Sequence, residues 1–187
     1  MPRREDAQLG LFADPEPGGL AFPSDLVALG ARLACLPLYL GTSSWSFPGW
    51  SGLVYPPGLA AAELAAGGLR WYARHPLFRA AGVDRSYYGP LAAADYRAYA
   101  AQVPPGFRFI VKAERTITTP PDQLPSAPAG AAGAFLAADR LRRLCIEPLL
   151  GGLGTGRAGL LLQFPPLGPR YCRDPGRFLD GLAGLLR

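Results

Sequence analysis

Apolar residues along this chain alternate between short continuous runs and longer stretches spaced by three or four. Leu26, Val27, Leu29 and Leu33 fall on one helical face, with Ser24-Asp25 placed to cap it. Pro37 forbids continuation, and Leu38-Tyr39-Leu40-Gly41-Thr42 reads as a buried strand opening into a functional loop. An aromatic, proline-rich loop over 43–58 leads to an alanine-rich helix over 59–75, which Pro76 closes. A second strand is predicted at 80–86, then a helix over 91–102 anchored inward by Leu91, Tyr96 and Tyr99. Pro104-Pro105-Gly106 turns the chain into a third strand at 107–113. A loop dense in Thr and Pro covers 114–130. The helix expected over 133–150 carries Phe135, Leu136, Leu141, Leu144 and Ile146, with Pro148 and Gly151-Gly152 marking its end. A fourth strand at 158–164 and an amphipathic helix from Pro175 to Arg187 complete the series.

One helix followed by four strand–helix units requires right-handed crossovers and a parallel sheet. Four units are half of a (β/α)8 barrel, whose closure takes roughly 200 residues or more. Four parallel strands with free edges leave backbone donors and apolar faces uncovered. The expected fold is therefore α/β, of the TIM-like (β/α)8 barrel kind, with only the first four units present as a partial or split barrel. Residues 1–23, rich in Pro, Gly and acids and without periodicity, read as a flexible extension, and 24–187 as the barrel segment, incomplete at its carboxyl end.

Composition narrows the setting. The 187 residues, 49% hydrophobic and 18% charged, suit one globular domain rich in turns, with 24 Gly and 21 Pro. A net charge of +5 raises nucleic acid as a partner, but the arginines are scattered, and the one dense trio, Arg140, Arg142 and Arg143, reads as a solvated helix face. Cys35, Cys145 and Cys172 are odd in number and far apart, which disfavours a disulfide framework or a zinc site. The amino terminus lacks the pattern of a signal peptide, and no window offers about 18 uninterrupted apolar residues. A cytoplasmic protein with no membrane partner, no metal site and no cofactor indicated is the expectation.

Candidate chemistry gathers at the strand ends, where ligands of parallel α/β sheets bind. The ends read Thr42-Ser43-Ser44-Trp45, Asp84-Arg85-Ser86-Tyr87-Tyr88, Lys112-Ala113-Glu114 and Gln163-Phe164-Pro165-Pro166. Lys112 is the one lysine against eighteen arginines, and an ammonium differs from a guanidinium in its compact shape, rotatable donors and tunable proton. Three roles are open to it: ion pairing with Asp84, holding an anion or hydroxyl, and Schiff-base chemistry. Lys112 and Asp84 are the candidate catalytic pair. Thr42, Ser43, Trp45, Trp50, Arg85, Tyr88 and Gln163 are the candidate ligand contacts. For Glu114, salt bridging to Lys112, Arg85 or Arg115 is expected over acid–base work. His75, before Pro76, reads as a capping or surface residue. Trp45 and Trp50 either stack on a ligand or cover the mouth of the site. Residues 151–156 resemble a phosphate loop but precede a strand, which suits a tight helix-to-strand connection better.

Gly41-Thr42-Ser43-Ser44-Trp45-Ser46-Phe47-Pro48-Gly49-Trp50, continued by Tyr55-Pro56, resembles family 72 of the domains of unknown function, the YecE-like proteins. Val83-Asp84-Arg85-Ser86-Tyr87-Tyr88, then Pro104-Pro105-Gly106-Phe107-Arg108-Phe109 with Val111-Lys112-Ala113, and finally Gln163-Phe164-Pro165-Pro166 agree with it, so the likeness covers roughly 24–185. The resemblance implies a TIM-like barrel with these segments at its mouth and assigns no activity. Thr119 stands where relatives carry histidine, which weakens acid–base catalysis there, and the family continues through four more units. The leading expectation is a barrel segment whose intact form binds a small polar, phosphorylated or sugar-like ligand at the carboxyl ends of its strands, with binding alone and catalysis by the complete barrel both open. The alternatives are a nucleic-acid-binding protein using arginines and loop aromatics, and a half-barrel that self-associates or joins a missing half.

Overall fold

The computed structural model describes residues 19–124 and 133–187. The first eighteen residues of the expected extension lie outside them. The chain forms two compact units interleaved in sequence, one comprising the residues up to Leu38 with Trp45–Phe78, the other Tyr39–Ser44 with Arg79–Arg187.

The first unit holds helices α1 (Ser24–Ala34) and α2 (Ala61–Tyr72), with a 3-10 turn at Pro48–Trp50. Ser24 and Asp25 do not cap α1. Ser24 is already helical, and the Pro23 carbonyl accepts from Val27 N at 3.1 Å instead. Phe22 packs edge-on against His75, with ring centroids 5.0 Å apart, so the chain is held there before α1 begins.

The second unit is built on a four-stranded parallel sheet flanked by helices, with strands β1 (Leu40–Thr42), β2 (Phe78–Val83), β3 (Arg108–Lys112) and β4 (Ala158–Leu161) in that order. Sequential neighbours on a parallel sheet are what right-handed crossovers produce. Ala80 faces Arg108 and Val83 faces Val111, while Phe109 faces Ala158 and Lys112 faces Leu161. Ala81, Val83, Phe109 and Val111 are buried on one face of the sheet. Ile110 and Leu161 are exposed on the other.

The boundaries differ from expectation for local reasons. β2 ends at Val83 because Asp84 takes helical angles and starts the turn α3 (Arg85–Tyr88), so Ser86 is not in a strand. The helix expected over 91–102 is α4 (Ala93–Ala100), with Leu91, Tyr96 and Tyr99 buried as anticipated. The loop after β3 contains a helical turn, α5 (Arg115–Thr118). β4 stops at Leu161, since its partner strand turns into α5 once Ala113 N has bonded to the Leu161 carbonyl.

Pro148 does not end the next helix. The chain runs through α6 (Ala138–Leu141), a π-helical segment over Arg142–Ile146 and α7 (Glu147–Leu153). Proline removes the donor for the carbonyl four residues back and crowds it, and a π-turn widens the backbone where that conflict arises. Glu147 N accordingly bonds to Arg142 O, five residues back. Gly154, at φ +72°, terminates α7, and with Gly156 at +76° it makes the tight connection expected into β4. Helices α8 (Pro169–Arg173), unanticipated, and α9 (Pro175–Leu185) follow. Around Ala113 and Ile117, Leu141, Cys145 and Leu185 close a core from α6, the π-turn and α9.

Gly152 lets α7 approach α4: a Cβ there would lie 2.3 Å from Tyr96 Cβ and 2.6 Å from Ala93 O. Gly184, in α9, has open space around the same position. Gly152→Ala is expected to lower the unfolding free energy by about 1–3 kcal/mol through overpacking, while Gly184→Ala leaves it unchanged or raises it by up to about 1 kcal/mol through helix propensity. Urea midpoints of the two variants check this contrast.

Candidate functional site

Register brings the two charged candidates together. Val83 and Val111 are paired and buried, so the residues that follow, Asp84 and Lys112, leave their strands side by side on the carboxyl end of the sheet. Lys112 Nζ lies 2.9 Å from Asp84 Oδ1, with the side chains 21% and 36% exposed. Oδ1 is itself shielded from solvent and accepts no well-directed hydrogen bond, so the contact is an ion pair held by proximity. Of the three roles open to Lys112, the pairing is the one observed.

A residue absent from the expected set fixes this geometry. The buried Ser86 hydroxyl lies 2.8 Å from Val83 O and 2.7 Å from Lys112 O, so its single proton ties α3 to one strand end or the other. Its signal in the sequence was weak, because a serine two residues beyond an aspartate reads as a further ligand contact.

The pair sits in a shallow cavity of about 270 Å³ within the second unit, lined also by Tyr39, Gly41, Thr42, Ser43, Gly82, Ile110 and Leu161. Two glycines shape it. A Cβ on Gly41 would lie 2.0 Å from Ala80 O, and one on Gly82 would lie 2.5 Å from Ser43 O. Only residues without side chains allow β1 this close to β2. Thr42 Oγ1 donates to Ser44 O at 2.6 Å, which holds the loop leaving β1 in a turn.

Four expected site residues, Thr42, Ser43, Asp84 and Lys112, line the cavity, and Arg85, Tyr88 and Gln163 do not. Arg85 reaches Asp95 on α4 at 3.8 Å, across an exposed surface. Tyr88 is exposed and meets Tyr87 edge-on. Gln163 is exposed beyond the end of β4.

Trp45 and Trp50 belong to the first unit. Trp45 is buried. Trp50 lies between Tyr55 and Tyr72, with centroids 6.3 Å away in each case, and Tyr72 stacks on Phe78 at 4.5 Å. Burial pushes the Tyr55 hydroxyl up to about 12. His75 continues this series by stacking on Phe78 at 4.2 Å, and its Nδ1 accepts from Leu77 N at 3.3 Å. It caps the turn, as expected, but as a half-buried ring whose desolvation pushes the imidazole below its ordinary 6.5.

Glu114 pairs with none of its expected partners. Its buried carboxylate accepts from the Thr116 hydroxyl and lies 3.9 Å from Arg140 Nε, which donates to Thr116 Oγ1 at 3.1 Å. Arg140 therefore turns inward from the arginine trio, while Arg142 is exposed and pairs with Glu147 and Asp139. Beside this network, burial pushes the Cys145 thiol up. Among the described residues no group of three or more His, Cys, Asp or Glu is placed to hold a metal ion, and no helix is long and apolar enough to cross a membrane.

The family model for "Protein of unknown function DUF72" matches residues 39–183, which includes the whole sheet and the cavity. The chain belongs to the DUF72 family. Two solved DUF72 proteins are similar to it. One, from Thermotoga maritima MSB8, is 24% identical, with a TM-score of 0.49 over 76% of this chain and 51% of the other. The second, from Enterococcus faecalis V583, is 16% identical, with a TM-score of 0.47 over 76% of this chain and 46% of the other. This DUF72 chain thus spans about half the length of those relatives. No curated protein matches it.

Two predictions test this construction of the site. Ser86→Ala should cost about 1 kcal/mol of stability, read as a lower urea midpoint, by deleting the buried hydroxyl that joins α3 to the strand ends. An unchanged midpoint would contradict that role. For His75 the folded state resists protonation, so above pH 6.5 its contribution is full, and it falls as pH drops below 6.5, where the unfolded chain binds the proton more readily. Comparing urea midpoints at pH 7.5 and 5.5, His75→Phe should reduce the acid-induced loss seen in the parent protein.

Proposed function

We propose that this DUF72 chain carries half of a TIM-like (β/α)8 barrel, whose carboxyl-end site binds a small polar ligand bearing phosphate or sugar-like hydroxyl groups. The Lys112–Asp84 pair, set at the rim of a cavity between strand ends, supports this reading more than any other observation. Lys112 donates to the ligand oxygen and Asp84 orients the ammonium. Thr42 and Ser43 supply further polar contacts from the β1 loop, with Arg85, Tyr88 and Gln163 as outer contacts that a ligand reaching beyond the cavity would meet. An ammonium already paired at 2.9 Å acts as a donor rather than as the free amine that Schiff-base chemistry requires. Cytoplasmic residence belongs to the same reading, with three unpaired cysteines in its support.

Assembly with a second copy is the alternative that a specific observation favours. Ile110 is 46% exposed and Leu161 41% exposed, on the same open face of the sheet and two register positions apart on neighbouring strands. In a closed barrel such positions are filled by side chains from the remaining strands.

A thermal-shift screen of sugar phosphates and polyols tests the ligand reading. At least one class should stabilise the protein, by about 2.7 kcal/mol at a hundred times its dissociation constant, and Lys112→Arg should abolish the shift. Absence of any class whose effect depends on Lys112 would defeat the proposal. Sedimentation decides the alternative, which requires a dimer that Ile110→Asp dissociates.

A further inference from the structure

We infer that Asp84 sets the specificity of the carboxyl-end cavity, selecting an uncharged ligand that presents a hydroxyl group over one that presents a phosphate, a selection that rests on the ligand reading of that cavity proposed above.

Among the described residues that line the cavity, Lys112 is the one cation and Asp84 the one anion, so their formal charges cancel. Lys112 Nζ lies 2.9 Å from Asp84 Oδ1. A ligand oxygen that accepts from Nζ at about 2.8 Å therefore stands within about 6 Å of that carboxylate oxygen. A phosphate placed there meets the repulsion of the aspartate together with the attraction of the lysine. An uncharged hydroxyl escapes that repulsion.

A hydroxyl also matches the pair atom by atom, because it accepts through its oxygen and donates its proton. The Lys112 ammonium has donors beyond the one turned to Asp84, and no other partner among the described residues. Asp84 Oδ1 is shielded against the ammonium while the side chain is 36% exposed, so the remaining acceptor capacity of the carboxylate lies at Oδ2. A hydroxyl between the two accepts from Nζ and donates to Oδ2. A fully ionised phosphate has no proton to give the carboxylate.

The rest of the lining points the same way. Phosphate brings several strong acceptor oxygens, yet the Thr42 hydroxyl already donates to Ser44 O at 2.6 Å, and Gly41, Gly82, Ile110 and Leu161 carry no side-chain donor. Such residues suit the C–H surface of a polyol or sugar ring. Neighbouring arginines do not restore a positive balance. Arg85 is turned toward Asp95 at 3.8 Å and is not in the lining. Arg79 and Arg108 lie against the Tyr39 ring at the amino end of the sheet, 4.8 and 5.1 Å from its centroid. From Arg108 to Lys112 the strand runs roughly 13 Å, beyond the screening length of about 10 Å in 0.1 M salt.

The single lysine supplies the reporter. In the full chain grown with lysine labelled with carbon-13 at Cε, Lys112 gives the one lysine signal, and its shift is followed by NMR against glycerol and against glycerol 1-phosphate at constant ionic strength. In the parent protein glycerol should move the signal, with glycerol 1-phosphate less than threefold tighter. Asp84→Asn removes the opposing charge, so there glycerol 1-phosphate should bind at least tenfold more tightly than glycerol. Circular dichroism checks that the variant is folded, and if Asp84→Asn fails to fold, Asp84→Ser is judged by the same ratio. Glycerol 1-phosphate binding the parent threefold or more tightly than glycerol would overturn the inference and leave the ligand reading standing, as would a folded Asp84 variant that keeps the parent's ratio. If neither probe moves the Lys112 signal in the parent protein, the ligand reading falls and the inference with it.

Discussion

A slip of one residue between β2 and β3 would turn every side chain of β3 to the other face. Phe109 and Val111, fully buried, would move to the open side, and the Lys112 ammonium would enter the core. Burial of the two apolar side chains outweighs any such shift, since each is worth about 1.5–3 kcal/mol and an unpaired buried charge costs several more. Much of the chemistry at the sheet depends on this constraint. Because Val83 meets Val111, Asp84 meets Lys112, and because Phe109 meets Ala158, Arg157 stands beside Arg108. Ser86 then holds the charged end through the Lys112 carbonyl.

The same register separates two kinds of face. One is a core, and the other carries glycines at 41, 82 and 159 among exposed Ile110 and Leu161. Gly41 and Gly82 admit the close approach of β1 to β2, but they also leave little side chain to cover the sheet between its two charged ends. The result is a face close-packed in backbone and open in side chain.

Element type was legible where periodicity was strong, so the four strands and the inward Leu91, Tyr96 and Tyr99 follow from the pattern of the chain. Boundaries were less so, because they depend on partners distant in sequence: β4 is cut short where β3 turns away. Proline and glycine signals misled at Pro148 and Gly152, where a π-turn and a close helix contact absorb residues that usually stop a helix. The Lys112–Asp84 pair could be anticipated from adjacent strand ends. The Glu114–Thr116–Arg140 network could not, since its arginine comes from a helix beyond the following loop and lies in a trio that reads as solvated.

The survival of one lysine in so arginine-rich a chain finds a reason in the size of its site. The cavity is about 270 Å³, and Asp84 Oδ1 meets the ammonium at 2.9 Å at its edge. An ammonium has three rotatable donors on one nitrogen, so one can face the aspartate while the others turn toward the cavity. A guanidinium is longer and planar, and its forked donors would carry the charge past Asp84 into the cavity. At the amino end the demand is reversed, because there a broad, flat ring and several carbonyls must be engaged at once. Arginine meets that demand. The two cations divide the sheet between them according to the shapes of their donors.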